Sequence, residues 1–123
     1  MNELIETIFA DFQVDNVDIP VSFLRYDGNK TTYVIYQAIN VNETLDGDDE
    51  LQAYVEYYDF DIFSKGNYFG IINGLKEILQ NNGFKWQPSM SSGDLYEDDT
   101  GYYHKTLCFS YIRSETKNDI QSL

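Results

Sequence analysis

This chain is poor in the residues that most enzymes use for chemistry. It has one cysteine, one histidine and one tryptophan in 123 residues. A single cysteine excludes an internal disulfide and a cysteine metal cluster. A catalytic dyad of the two would have to be Cys108 with His104. On one strand these lie about 13 Å apart, too far to touch. Cys108 stands beside Leu107 and Phe109, which predicts a buried, inert thiol. His104 falls in a strand pattern with no local carboxylate or nucleophile, which predicts a surface or interface histidine. No apolar run approaches the roughly 20 residues of a membrane span. The first residues, MNELIETIFADF, carry no lysine or arginine, so they read as neither signal nor transit peptide. These features predict a non-secreted protein without membrane association.

Positive charge is also scarce. Eight bases face 21 acids, giving a net charge of −13. A basic patch on duplex DNA is therefore not expected. The excess can serve solubility, a surface that DNA must slide past, or imitation of DNA. It gathers in two runs: Asp46, Asp48, Asp49 and Glu50, and Glu97, Asp98 and Asp99. Neither fits the calcium loop, which needs glycine at its sixth position and glutamate at its twelfth. No phosphate loop or dinucleotide fingerprint is present, and no cofactor is expected.

What the chain has in quantity is aromatic residues, 11 Tyr and 8 Phe, many of them on strand patterns. Its length suits one domain, read as residues 1–113 followed by a polar tail over 114–123. Leu4, Ile5, Ile8, Phe9 and Phe12 mark a first helix over 3–13, with Asn2 as its cap. Gln13 to Asp18 reads as a polar connection. Strands follow over 20–26 and 31–41, joined by Asp27-Gly28-Asn29-Lys30, a hairpin signal. An acidic loop spans 42–50, and a third strand runs over 51–63.

Along that third strand Tyr58, Phe60 and Ile62 alternate with Asp59 and Asp61. The alternation slips at Tyr57-Tyr58, where a β-bulge would restore one inner face. Such a bulge would gather Tyr54, Glu56, Asp59 and Asp61 on a polar outer face. Apolar positions 68, 71, 72, 75, 78 and 79 form one stripe of a second helix over 67–82. Asn67 is its expected cap and Gly83 its stop. Gly70 and Gly74 point to a close approach to the sheet or, alternatively, to a mobile helix. Residues 84–88 read as a short strand anchored by Trp86, 89–101 as a polar loop, and 102–113 as a last strand.

The expected fold is α+β, ordered α-β-β-β-α-β-β. Two layers are expected, a mostly antiparallel mixed sheet with both helices on one face. Leu4, Ile8, Phe12, Phe60, Ile62, Ile71, Leu75, Ile78 and Leu79 are its expected core. Paired carboxylates such as Asp59 and Asp61 can hold Mg²⁺ in a nuclease. With no third acid and no activating Lys or His, a solvated or subunit-facing strand is the favoured reading, and no catalytic residue is assigned.

The order and spacing of Pro20-Val21, Tyr33-Val34-Ile35-Tyr36, Val55 to Lys65, Leu79 to Phe84 and Gly101 to Lys105 form a familiar pattern. Over about residues 3–113 it resembles the tail-terminator (tail-completion, minor capsid or head–tail joining) proteins of long-tailed bacteriophages. The long acidic 89–101 loop and the slip at Tyr57-Tyr58 depart from that family. The resemblance implies a structural virion protein at the head–tail junction, assembled in the host cytoplasm. Its subunits would form a ring, commonly a hexamer, on the last ring of tail tube protein, facing the head connector. DNA would pass through without being bound. The outer sheet face would make the subunit contacts, with Tyr54, Glu56, Asp59, Asp61, Lys65, Lys105 and Arg113 as candidates. Its acids should pair across the interface with those cations. The two acidic runs would face the bore or its mouth. The competing readings are an acidic DNA-mimic inhibitor of the anti-restriction type and a metal-dependent enzyme on Asp59 and Asp61. Acids concentrated in loops favour the ring.

Overall fold

The computed structural model describes residues 2–45 and 51–116. The elements are α1 (Asn2–Ile8), β1 (Gln13–Val14), β2 (Val17–Asp18), β3 (Val21–Phe23), β4 (Tyr33–Leu45), β5 (Leu51–Ser64), α2 (Phe69–Asn81), β6 (Lys85–Trp86), β7 (Leu95–Glu97) and β8 (Tyr102–Thr116). The fold is α+β, and its main sheet is mixed but mostly antiparallel, ordered β3-β4-β5-β8-β6 with β7 also on β8. The expected order holds, with the small β1–β2 hairpin and β7 added.

Register puts the apolar side chains of three strands on one face. Tyr36 lies opposite Phe60, Phe60 opposite Leu107, and Tyr58 opposite Phe109. All of these are buried. They join Ile5 and Phe9 of α1 and Ile71, Leu75 and Leu79 of α2 in one cluster. Both helices therefore cover the same face. Of the expected core, Leu4, Ile8 and Ile78 lie at its margin, partly buried, while Ile5 is fully enclosed.

Helix α1 is shorter than its apolar periodicity suggests. The chain leaves the helix after Ile8 and turns so that both Phe9 and Phe12 point inward, their rings 5.3 Å apart. The stretch read as a polar connection is a two-residue hairpin. Asp15 and Asn16 take positive φ values of 52° and 66°, which short polar side chains tolerate and which match the twist of a tight hairpin. This hairpin, not the sheet, receives the α2 glycines. A Cβ on Gly70 would come 2.9 Å from Val14, and one on Gly74 the same distance from the Phe12 ring.

Helix α2 starts two residues later than expected. The Asn67 carboxamide oxygen accepts the Phe69 N–H at 2.9 Å. It ends as expected: Gly83 has φ 90°, and the N–H groups of Gly83 and Phe84 return to the Gln80 and Leu79 carbonyls. That is the Schellman arrangement.

The hairpin expected at Asp27–Lys30 is not formed. Strand β3 runs parallel to β4, with Val21 beside Val34 and Phe23 beside Tyr36. Leu24 at φ 67° breaks the strand after three residues, so the return path is short enough for a loop instead of a helix. Tyr26 folds back onto Tyr33, ring centroids 4.7 Å apart. Its hydroxyl accepts the Lys30 N–H, and only a glycine at position 28 leaves room for it.

The bulge expected in the third strand lies in its neighbour. β5 pairs with β8 without interruption from Leu51 to Ser64. The register shifts fall in β4, between Ala38 and Asn40 and between Glu43 and Leu45. β4 therefore runs on to Leu45 through part of the expected acidic loop. β8 likewise continues to Thr116, so Ser114 to Thr116 belong to a strand and not to the tail. Part of the expected 89–101 loop is also regular, as a 3₁₀ turn over Pro88–Met90 and as β7.

Leu75 is fully buried among both helices and the sheet. Leu75→Ala should destabilise the protein by about 2–5 kcal/mol in chemical denaturation. The Tyr36 hydroxyl is buried with no hydrogen-bond partner. Removing it relieves an unmet desolvation cost, so Tyr36→Phe should raise stability by about 1 kcal/mol. A loss on that substitution would mean that the hydroxyl is satisfied after all.

Candidate functional site

Because β5 has no bulge, its residues alternate strictly, and the expected polar face divides. Asp59 and Asp61 lie on the face away from the helices. Tyr54 and Glu56 share the helix-side face with Tyr58 and Phe60. Glu56 is buried there, one oxygen 3.7 Å from Arg113 and the other unpartnered. With burial first and the Glu56 charge second, the Tyr58 phenol is pushed well above its usual range.

The open face is built across β4, β5 and β8. Thr106 donates its hydroxyl hydrogen to Asp61, and His104 Nε2 lies 3.4 Å from the same carboxylate oxygen. His104 lies flat on Phe63, ring centroids 4.3 Å apart and 13° from parallel. Phe63 stacks in turn on Tyr33 at 5.2 Å, and Tyr33 on Tyr26. Four rings thus run in a row across the sheet. Tyr102 sets its edge to Tyr33 and Phe63, and the Lys65 ammonium sits 5.0 Å from the Tyr102 ring centre. The carboxylate beside His104 comes from 43 residues away, so no local spacing could announce it.

Asp59 occupies the next position along this face, between Gln37 and Cys108. Its carboxyl is half-buried, and Oδ1 has no hydrogen-bond partner. Burial, and then the negative charge of Asp61, raise its pKa above 3.8, against a lowering hydrogen bond with Cys108. The Cys108 thiol is fully buried, and burial followed by Asp59 pushes it up to about 11. It is therefore a thiol, not a thiolate, at neutral pH.

The candidate cations have partners within the chain. Lys105 shares the helix-side face with Ile62 and reaches Asp94 at 3.3 Å. Asp94, which also accepts from Tyr68, is held below the usual carboxylate range by that hydroxyl and by Lys105. Arg113 turns to Glu56. Within one chain Lys105 thus pairs with Asp94 and Arg113 with Glu56, one of the acids for which a cation was expected. Strand alternation puts these two cations on the face opposite Asp59 and Asp61.

Glu97, Asp98 and Asp99 form the exposed turn between β7 and β8. Thr100 donates to Glu97 at 2.9 Å, and Gly101 at φ 74° closes the turn. Asp46, Asp48, Asp49 and Glu50 lie outside the described residues. Among the described residues no three His, Cys, Asp or Glu side chains converge to hold a metal, and no helix is long and apolar enough to cross a membrane.

No protein-family model and no curated protein matches this chain. The site must be read from its own geometry.

Serine hydroxyls at the β8 edge were not foreseen. Between β6 and β7 the chain follows β8 without forming a strand. There the Ser91 hydroxyl accepts the Cys108 N–H and the Ser92 hydroxyl the Thr106 N–H, each at 2.9 Å. The Ser92 N–H donates to the Thr106 carbonyl. Trp86, on β6, donates to the same Ser91 hydroxyl and carries the Lys76 ammonium over its ring. The run S-M-S-S reads as polar loop in sequence, yet its side chains replace a strand's backbone.

The open face thus offers aromatic edges, one carboxylate hydrogen-bonded by Thr106 and one poorly solvated one. That combination suits a packed contact. The native state binds the Asp59 proton more tightly than the unfolded chain does. The ionised carboxyl therefore costs stability above its folded pKa, and the cost disappears as pH falls through that pKa. Asp59→Asn should be more stable than the parent chain at pH 7, with the gap closing below about pH 4. Thermal melts at both pH values check this, and an equal gap at both would remove the cause assigned here.

Proposed function

We propose that this chain is a structural subunit of a phage or prophage virion, forming a ring that caps the tail tube and joins it to the head connector. The observation that carries this reading is the order of segments from Pro20 to Lys105 that resembles the tail-terminator family. Two of these segments, Val55 to Lys65 and Gly101 to Lys105, fall largely on β5 and β8, which pair at the centre of the sheet. Support also comes from the helix-free face, where aromatic rings and the Asp59–Asp61 pair stand half-exposed. A subunit that meets copies of itself has use for such a face, because tyrosine buries area while keeping a polar end.

The partners on this reading are copies of the chain, probed first as a hexamer, then tail tube protein on one side and the connector on the other. DNA passes through the bore. A −13 chain gives that bore no attraction for phosphates, and like charge acts over about 8–10 Å in physiological salt. Glu97, Asp98 and Asp99 are assigned to the bore or its mouth. They gather at one tight turn rather than at the regular phosphate-like spacing a DNA mimic needs, which favours the ring over that alternative.

Native mass at several concentrations should give a discrete multiple of the monomer, and microscopy should give rings. Tube protein polymerising in vitro should stop growing when the ring is added; continued growth overturns the reading. Replacing Glu97, Asp98 and Asp99 by Gln and Asn should leave rings intact and slow DNA ejection from assembled particles. Unchanged ejection would return this cluster to a solubility role.

A further inference from the structure

The three long strands reach beyond the helices. β5 spans about 45 Å, whereas α2 is about 20 Å long. On the helix side no described residue of β5 before Tyr58, or of β8 after Tyr111, joins the core cluster. What remains is a three-stranded arm of β4, β5 and β8 with β5 in its middle. Both of its outer strands lack a described neighbour strand. β3 leaves β4 after Tyr36, and β6 leaves β8 after Ser110.

Elsewhere this protein covers its edges. β8 is closed at its near end by β7, then by the Ser91 and Ser92 hydroxyls, then by β6. β4 is closed by β3. The coverage stops at the start of the arm on both sides. Two large apolar side chains stand at those points, Ile39 on β4 at 41% exposure and Ile112 on β8 at 65%. The bulge at Ile39 bends the β4 edge but leaves Asn40 to Glu43 in regular register. An uncovered edge is a template for another strand.

We propose that the arm joins copies of this chain edge to edge, β8 of one against β4 of the next. The two edges are what single out a second copy as the occupant. A foreign strand would satisfy one of them, whereas repetition of the same sheet uses both. β4 and β8 each run antiparallel to β5, so they run parallel to one another. Rotation about an axis along the strands brings β8 of one copy alongside β4 of its neighbour in parallel. Such a contact joins two different patches, and it closes into a ring when the rotation divides a full turn. This deepens the ring reading and rests on it.

Paired cysteines test the contact. With Asn42→Cys and Ser114→Cys together, mild oxidation should give a ladder of linked copies on a non-reducing gel. Each single variant should stay monomeric, since neither position meets itself. Asn42→Cys with Ile112→Cys, both opposite Val55 within one copy, provides a second register. A dimer from Ser114→Cys alone would show a symmetric β8–β8 contact and overturn the head-to-tail arrangement. Hydrogen exchange on the unmodified chain gives an independent readout. Amides of 38–45 and 111–116 should exchange at least tenfold more slowly where native mass shows the oligomer than where it shows the monomer. An oligomer protected elsewhere, with no linked ladder, overturns edge pairing and leaves the ring reading standing. A monomer at every concentration removes both.

Discussion

The unbroken ladder between β5 and β8 governs the rest of this structure. Fourteen consecutive residues of β5 pair with β8, and a strand without a bulge keeps its faces fixed along its length. That single constraint sends Tyr58, Phe60 and Ile62 to the helices and Asp59 and Asp61 away from them. It also carries Glu56 onto the helix side, where Arg113 and Tyr58 answer its charge. The irregularity that the sequence demands is absorbed by β4, which over most of its length has no second neighbour strand among the described residues. An extra residue there costs one ladder position, whereas in β5 it would disturb two ladders at once.

The legible parts of the fold were those written in local pattern. The stripe from Tyr68 to Leu79, the stop at Gly83 and the alternation of Tyr58, Phe60 and Ile62 all depend on neighbours within a turn or two, and each appears as expected. What was not legible depended on partners far along the chain. Asp27-Gly28-Asn29-Lys30 has hairpin composition, but the left-handed turn at Leu24 and the Tyr26 ring on Tyr33 decide the direction of β4. The slip at Tyr57-Tyr58 is visible in sequence, yet it does not say which strand yields. His104 gained a carboxylate neighbour only when β5 and β8 came into register. Ser91 and Ser92 carry no periodicity, so their part in the sheet could be found only in three dimensions.

The candidate surface divided for the same reason. A list of polar residues on one strand becomes a face only when every residue obeys one alternation. Asp59 and Asp61 remain together. Tyr54 and Glu56 leave them, and Lys105 and Arg113 find acids of their own. Local pairing of Lys105 and Arg113 leaves Lys65, over the Tyr102 ring, as the candidate cation on that acidic face. If copies associate through such a face, apolar and aromatic contact must supply the driving force, with the acids at the rim or protonated. The raised pKa of Asp59 fits a group already partly removed from water.

Backbone pairing offers a way around that repulsion. In a chain of net charge −13, face-to-face association brings carboxylates together, whereas edge addition sets neighbouring sheets side by side. The hydrogen bonds it forms run between neutral peptide groups, indifferent to pH and only weakly dependent on salt. The coverage of the edges follows the same logic. Where helices already fill one face, between Tyr58 and Ser64, the β8 edge is closed by serines and short strands, and uncontrolled growth is blocked. Where the helices end, neither edge of the arm has a neighbour strand among the described residues. A protein that only needed solubility would gain from closing both. Leaving the two uncovered at the same level, one on each side of a shared central strand, is the arrangement that a repeating contact requires.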